Sequence, residues 1–250
     1  MSVAAPTGWP QGYGLTRYDE IDSTNEEARR LAAKGETGPL WLTALRQTAG
    51  RGRRGRSWEM GGGNLAATLL LRPERPQGEW AQLSFVTAIA AADVMANFAG
   101  TNARVTLKWP NDILADERKL AGILLEAANG PTPALAIGIG VNLAYHPDGT
   151  EFPAISLAGL GAYVPSRDDA LAALATAFVK WYDIWRGQGF AAIREAWLAR
   201  ASGLGARIRA RLATEERSGT FEGIDENGAL LLNEGFGRAT ALPAADIFFR

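Results

Sequence analysis

The sequence predicts an α+β protein, a mixed β-sheet covered by helices and followed by a small C-terminal β-barrel. Three observations predict it. Stretches with apolar residues at helical spacing and stretches with alternating or continuous apolar residues are interspersed through the first two hundred positions. The character of the chain changes at Ser202-Gly203-Leu204-Gly205, and the residues after it hold only short strands around an Asp225-Glu226-Asn227-Gly228 turn. The length of 250 residues suits one large or two unequal domains, and 47% apolar with 21% charged residues is enough to bury a core. The expected division is 1–204 and 205–250.

The elements follow in order. Ser23-Thr24-Asn25-Glu26 has the S-x-x-E form of a capping box, and Ala28, Leu31 and Ala32 carry a helix over 24–34 until Gly35. Residues 39–46 and 64–71 read as strands, with an Arg- and Gly-rich loop between them. Leu83, Val86, Ala90, Val94 and Phe98 mark a long buried helix. Val105, Leu107 and Trp109 then alternate with Arg104, Thr106 and Lys108, a strand that sends Lys108 to the face opposite the core and ends at Pro110. Residues 112–115 and 120–127 flank the polar Asp116-Glu117-Arg118 as a hairpin, and 134–143 is a further apolar strand. Helices are expected over 168–185 and 190–201, and barrel strands at 207–212, 217–224, 229–233 and 238–242.

Composition narrows the chemistry. There is no Cys, hence no disulfide, thiolate metal site or thiol nucleophile, and the single histidine, His146, lies in a loop-like segment, so no His-dependent triad or His-rich zinc site is expected. No run of eighteen apolar residues and no leader-like start are found, so the expected place of work is the cytoplasm, away from the membrane. A net charge of −1 draws the protein to no polyanion, and a basic site must be local.

One such site is Gly50-Arg51-Gly52-Arg53-Arg54-Gly55-Arg56-Ser57. It matches G-x-G-x-x-G and an Arg-substituted P-loop literally, yet both of those open a helix, and here Trp58 and three glycines lead to a strand. Five arginines from Arg46 to Arg56 with no acid among them suit an anion, a phosphate above all. A solvated turn and an RNA-binding Arg-Gly tract are the competing readings. The second cluster is Lys108-Trp109-Pro110-Asn111-Asp112 with Lys119-Leu120-Ala121-Gly122-Ile123-Leu124-Leu125-Glu126. Through the hairpin Asp112 can reach Lys119, and an amine with a carboxylate beside an Arg loop suits acyl-phosphate chemistry.

In these motifs the chain resembles the biotin protein ligases, from about residue 17 to the C-terminus. The resemblance rests on Ser23-Thr24-Asn25, Gln47 followed by GRGRRGRSW at 50–58, KWPND at 108–112, KLAGIL at 119–124 and IGIGVN at 137–142. It implies the sheet shared with class II aminoacyl-tRNA synthetases, an SH3-like C-terminal barrel, ATP and biotin as substrates with Mg²⁺, and a carboxyl carrier domain as acceptor. It further implies that Ser23, Thr24, Asn25 and Gln47 bind the biotin ureido ring, while Arg51, Gly52 and Arg53 close over biotin and the adenylate phosphate. By the same resemblance Lys119 sits at the biotin carboxyl, and Lys119, Arg53 and Asp112 are the catalytic set. Arg51, Arg53, Arg54, Trp58, Lys108, Asn111 and Asn142 would hold the adenylate, with no metal bound by side chains.

A homodimer is compatible with it. Fewer than twenty residues precede the first match, too few for a helix-turn-helix, so no operator binding is expected. The family often has a Pro-containing turn after the Trp, where this chain has Glu59-Met60-Gly61-Gly62-Gly63. A lipoate ligase of the same superfamily and an Arg-Gly nucleic-acid-binding module are the alternatives.

Overall fold

The computed structural model describes residues 6–235 and 237–249. Strand β1 (Gly14–Ile21) leads through helix α1 (Thr24–Ala33) to β2 (Leu40–Gln47), which it pairs in parallel. β3 (Leu65–Leu71) follows the Arg-Gly loop, then come the long helix α2 (Leu83–Ala99), the short strands β4 (Val105–Lys108) and β5 (Asp112–Ala115), and the longer β6 (Arg118–Ala128) and β7 (Ala134–Val141). They form one seven-stranded sheet in the order β1-β2-β3-β7-β6-β5-β4, antiparallel except for the first pair. Helices α3 (Arg167–Gln188) and α4 (Phe190–Leu198) complete this part. Strands β8 (Arg207–Arg211), β9 (Glu216–Ile224), β10 (Leu230–Asn233), β11 (Thr240–Leu242) and β12 (Asp246–Phe249) make a separate antiparallel sheet, order β11-β10-β9-β8-β12.

Two strands were not expected. β1, Gly-Leu-Thr-Arg-Tyr-Asp-Glu-Ile, is an edge strand with no fully buried residue, so it shows no apolar alternation. β12 is four residues long and takes its place from pairing with β8. The β5–β6 turn is built as its polar residues suggest, with Asp116 and Glu117 at φ of 46° and 64°, left-handed values that suit a two-residue hairpin. The Ser23 hydroxyl accepts from the Glu26 amide and caps α1, but the Glu26 side chain turns to arginines and does not close the box.

The two faces of the large sheet differ. On one face α2, α3 and α4 pack over Leu65, Leu69, Ile137, Ile139 and Val141. On the other, α1 covers a smaller cluster of Ala28, Ala32, Leu42, Leu70, Ala134 and Ala136. Period-two alternation therefore puts Gly138 and Gly140 of β7 on the α1 side, beside Ala66 and Gly122 of the flanking strands. Gln77–Ala99, a 3₁₀ turn running into α2, is apolar and long enough to cross a membrane by composition. It is the central core helix, most of its apolar stretch is buried, and its apolarity answers to protein on several sides.

The C-terminal sheet is not a separate body. Its Ile208, Phe221, Ile224, Leu230 and Ile247 belong to the same apolar cluster as α2 and α4. The buried Trp109 indole donates to the Gly228 carbonyl at 2.9 Å, and Gly228, at φ +85°, lies so close to Phe85 that a Cβ there would come within 2.6 Å of its ring. Trp109→Ala should lower the unfolding free energy by about 3–5 kcal/mol through cavity and lost contacts. The parent chain should unfold in urea in a single transition; two separated transitions would contradict the shared core.

Candidate active site

A cavity of about 500 Å³ opens on the α1 side of the sheet, under the Arg-Gly loop. Its floor is made of positions with little or no side chain. A Cβ at Gly138 would lie 2.2 Å from Asn25 Oδ1, and one at Gly140 would lie 2.3 Å from the Trp58 ring. The glycines of the IGIGVN segment thus admit the side chains of Asn25 and Trp58 to the sheet surface. Trp58 Nε1 is buried there without an acceptor.

One end of the cavity is polar and neutral. Gln47 Oε1 accepts from the Thr24 amide at 2.8 Å and from its hydroxyl at 3.0 Å. The buried Thr68 hydroxyl lies 2.6 Å from Asn25 Oδ1 and 2.8 Å from Thr24 Oγ1, so it fixes both by donating to one at a time. Asn25 Nδ2 donates to Glu126 at 2.8 Å. Arg51 closes this end, 2.8 Å from Glu26 and 3.8 Å from Glu126, and that guanidinium holds the Glu26 carboxyl below its ordinary value.

The other end is cationic. Lys119 Nζ lies 2.7 Å from Asp112 Oδ1, a close charge contact off the hydrogen-bonding direction of that oxygen, since Oδ1 has no aligned donor. The Lys119 backbone is gripped by residues 153–155, its amide donating to the Pro153 carbonyl and its carbonyl accepting from Ile155. Arg53 donates to Asn111 Oδ1 at 3.3 Å, and Asn111 donates to the Ile123 carbonyl at 2.6 Å. Burial lowers the Arg53 guanidinium from its ordinary value. Lys108, 6% exposed, holds its ammonium 3.5 Å from the centre of the Phe152 ring. Burial pushes it down to about 8.

Every residue expected at the site lines this cavity except Arg54. Arg54 bonds one oxygen of Asp246 and Arg56 the other, each at 3.0 Å, and both Arg56 and Asp246 do line the cavity. The expectation of a cluster without countercharge is corrected by distance along the chain, since Glu20, Glu26 and Asp246 neutralise Arg46, Arg51, Arg54 and Arg56 from other elements. Among the described residues Arg53 has no ion pair. Asn142 is 2% exposed and donates to the Ile155 and Lys119 carbonyls, so it braces the strand under Lys119.

Thr68, Phe152 and Asp246 were missed, for only the fold brings them to the motifs, with a Thr amid apolar residues in β3 as the single available signal; Glu126, at the end of the second cluster, was given no role. The glycines that replace the Pro-containing turn have a steric reason: a Cβ at Gly61 would meet the Tyr145 ring at 2.1 Å, and Gly63 has φ +89°. His146 is in a loop, as expected, and shares a hydrogen bond of 3.0 Å with Ser156.

Comparison with known proteins agrees with the two sheets. Residues 19–142 match the biotin/lipoate A/B protein ligase family, and residues 203–250 match the biotin protein ligase C-terminal domain. A Paracoccus denitrificans biotin–[acetyl-CoA-carboxylase] ligase is 48% identical over 91% of this chain and 97% of its own. The chain belongs to the biotin/lipoate A/B protein ligase family. A further member, the bifunctional ligase/repressor BirA of Bacillus subtilis, is 34% identical over 90% of this chain and 71% of its own length. The biotin protein ligase of Aquifex aeolicus in complex with biotin and ATP shares the fold, with a TM-score of 0.82 at 24% identity over 95% of this chain and 99% of that one. The C-terminal sheet is accordingly of the SH3-like kind expected.

Lys108 gives a test that needs no ligand. Below about pH 8 the native ammonium keeps its proton, and between about 8 and 10.4 the unfolded chain holds a proton that the native state has released. Stability from this group therefore rises with pH across that window. A Lys108→Met protein lacks the penalty, so its stability relative to the parent should fall by on the order of 2 kcal/mol between pH 7 and pH 10. Urea midpoints at the two pH values measure it, and an unchanged gap would place the Lys108 ammonium in a solvated setting.

Proposed function

We propose that this chain is a biotin protein ligase, joining biotin to ATP as biotinyl-adenylate with release of pyrophosphate and then passing the acyl group to a lysine of a carboxyl carrier domain. The observation that carries the reading is one continuous cavity with a neutral hydrogen-bonding end at Thr24, Asn25 and Gln47 and a cationic end at Lys119, Arg53 and Lys108. A ureido ring has donors and acceptors for the first end, and the carboxylate on its acyl chain reaches the second. Arg51 and Gly52 of the loop roof the ring, with Ser23 at the start of α1.

In the first step a biotin carboxylate oxygen attacks the α-phosphorus, and the bond to pyrophosphate breaks. Two anions must meet, so the barrier is largely electrostatic, and fixed cations aimed at the developing charge lower it. Lys119, held by Asp112 and by its clamped backbone, bridges carboxylate and phosphate. Arg53 and Lys108 stand where the phosphates lie, with Asn111 fixing Arg53, Trp58 flanking the adenylate and Asn142 behind it. In the second step the carrier amine attacks the acyl carbon and AMP leaves. Asp112 takes the amine's proton or orients it. Among the described residues no cluster of three His, Asp or Glu could hold a metal, so Mg²⁺ is assigned to the triphosphate it arrives with.

Lipoate ligation fits less well, because an aliphatic tail against Thr24, Asn25, Gln47 and Thr68 would bury donors without partners. The nucleic-acid reading loses its support where the loop arginines are matched by carboxylates. We further infer a cytoplasmic enzyme, with which a homodimer is compatible.

Biotin-dependent pyrophosphate exchange tests the reading. The parent chain should exchange with biotin and not with lipoate; exchange with lipoate alone, or with neither acid, would overturn it. Lys119→Gln should lose on the order of 10²-fold or more in rate, as when one preorganised donor is removed. Lys180→Gln, on the exposed side of α3, should match the parent. Equal rates for the two variants would remove Lys119 from the chemistry.

A further inference from the structure

The Arg-Gly loop is tied to the C-terminal sheet through one carboxylate. Asp246 begins β12, opposite Arg211 of β8, and its side chain is 11% exposed. Its Oδ2 takes Arg54 Nη1 and its Oδ1 takes Arg56 Nη2, each at 3.0 Å, across about 190 residues of chain. Neither guanidinium has another ion pair among the described residues.

The loop needs such an anchor. Residues 53–55 make a single 3₁₀ turn in which Arg54 stands at φ 55°, ψ 33°, left-handed values that a side chain disfavours. Local hydrogen bonds close the loop's base and leave its tip lightly held: Trp58 donates to Gly50, Arg51 and Ser57 form an isolated antiparallel bridge, Gly52 donates to Arg56, and Arg56 donates to Arg53 from its amide and its Nε. Without Asp246, the guanidinia of Arg53, Arg54 and Arg56 would crowd one turn with no acid. With it, Arg54 is drawn outside the cavity, and Arg53, the neighbour on the chain, reaches Asn111 within it. The β12 strand is itself fixed against the site, since Phe248 stacks on Phe152 at 4.9 Å and Phe152 faces Lys108.

We propose that Asp246 is a positioning residue through which the C-terminal sheet holds the Arg-Gly loop over the cavity and so sets Arg53 for the ATP phosphates. The effect on ATP rests on the ligase reading above; the anchoring of the loop does not.

Two measurements separate these. Limited subtilisin digestion without ligands reads the loop directly, because cleavage needs local opening. Asp246→Asn should raise cleavage within residues 51–57 by about tenfold, and Asp246→Glu should restore most of the protection. The pair Arg54→Gln with Arg56→Gln breaks the same contact without touching the C-terminal sheet. It should give a similar rise, and adding Asp246→Asn to it should give no further one. In biotin-dependent pyrophosphate exchange, Asp246→Asn should raise KM for ATP by about tenfold with a smaller change in kcat, the pattern of lost substrate positioning. Parental cleavage in Asp246→Asn overturns the anchor. So does a rise in that variant with none in the arginine pair, which would mark a packing defect of β12. Faster cleavage with parental KM for ATP overturns the link to the phosphates. A parent chain that exchanges with no acid would sink the ligase reading, and digestion would still decide the anchor.

Discussion

In β7, Ile137, Ile139 and Val141 face the helical core while Gly138 and Gly140 face α1, and the site exists because these two faces are so unlike. The apolar face supplies the burial that holds the sheet. The glycine face removes side chains where a floor is needed. Asn25 and Trp58 fill part of that space at distances no Cβ would tolerate, and the remainder is the cavity. Binding residues from α1, β2, β5 and β6 therefore converge on the two strands, β6 and β7, whose pairing places Gly122 opposite Gly140.

Charge is distributed on the same plan. Exposed ion pairs are worth at most about 1 kcal/mol each, so the carboxylates around the Arg-Gly loop add little to stability. Their effect is to assign directions. Glu26 and Glu126 draw Arg51 to the neutral end, Asp246 draws Arg54 and Arg56 to the C-terminal sheet, and Arg53 is left at the cationic end with Lys108 and Lys119. Lys108, under Phe152, is the most desolvated of these cations by exposure, and an incoming anion has the largest unmet demand to satisfy there.

The C-terminal sheet takes part in both the packing and the charge. Trp109 follows β4 in the very segment that carries Asn111 and Asp112, and its indole is held by the Gly228 carbonyl of the β9–β10 turn. The turn that places the candidate catalytic carboxylate is thus buttressed from a part of the chain that composition alone would set apart.

Most elements were legible because their signals are local. The capping Ser23, the apolar spacing in α2, the alternation in β4 and the polar Asp116-Glu117 turn each fix a backbone state within a few residues, and the five motifs already held most of the residues that line the cavity, though not its wall from β3, the 147–154 segment and β12. The Asp112–Lys119 contact was legible through its hairpin, and what the tertiary structure alone decided is which carboxylates meet the loop arginines. Five arginines without a nearby acid read as an unpaired cluster, since a sequence shows neighbours along the chain and Coulomb interactions act through space. Asp246, Glu126 and Thr68 reach the site through strand register, and the edge strand β1 exists only because β2 lies beside it. Those placements follow from packing two unlike faces of one sheet, a condition no single segment carries.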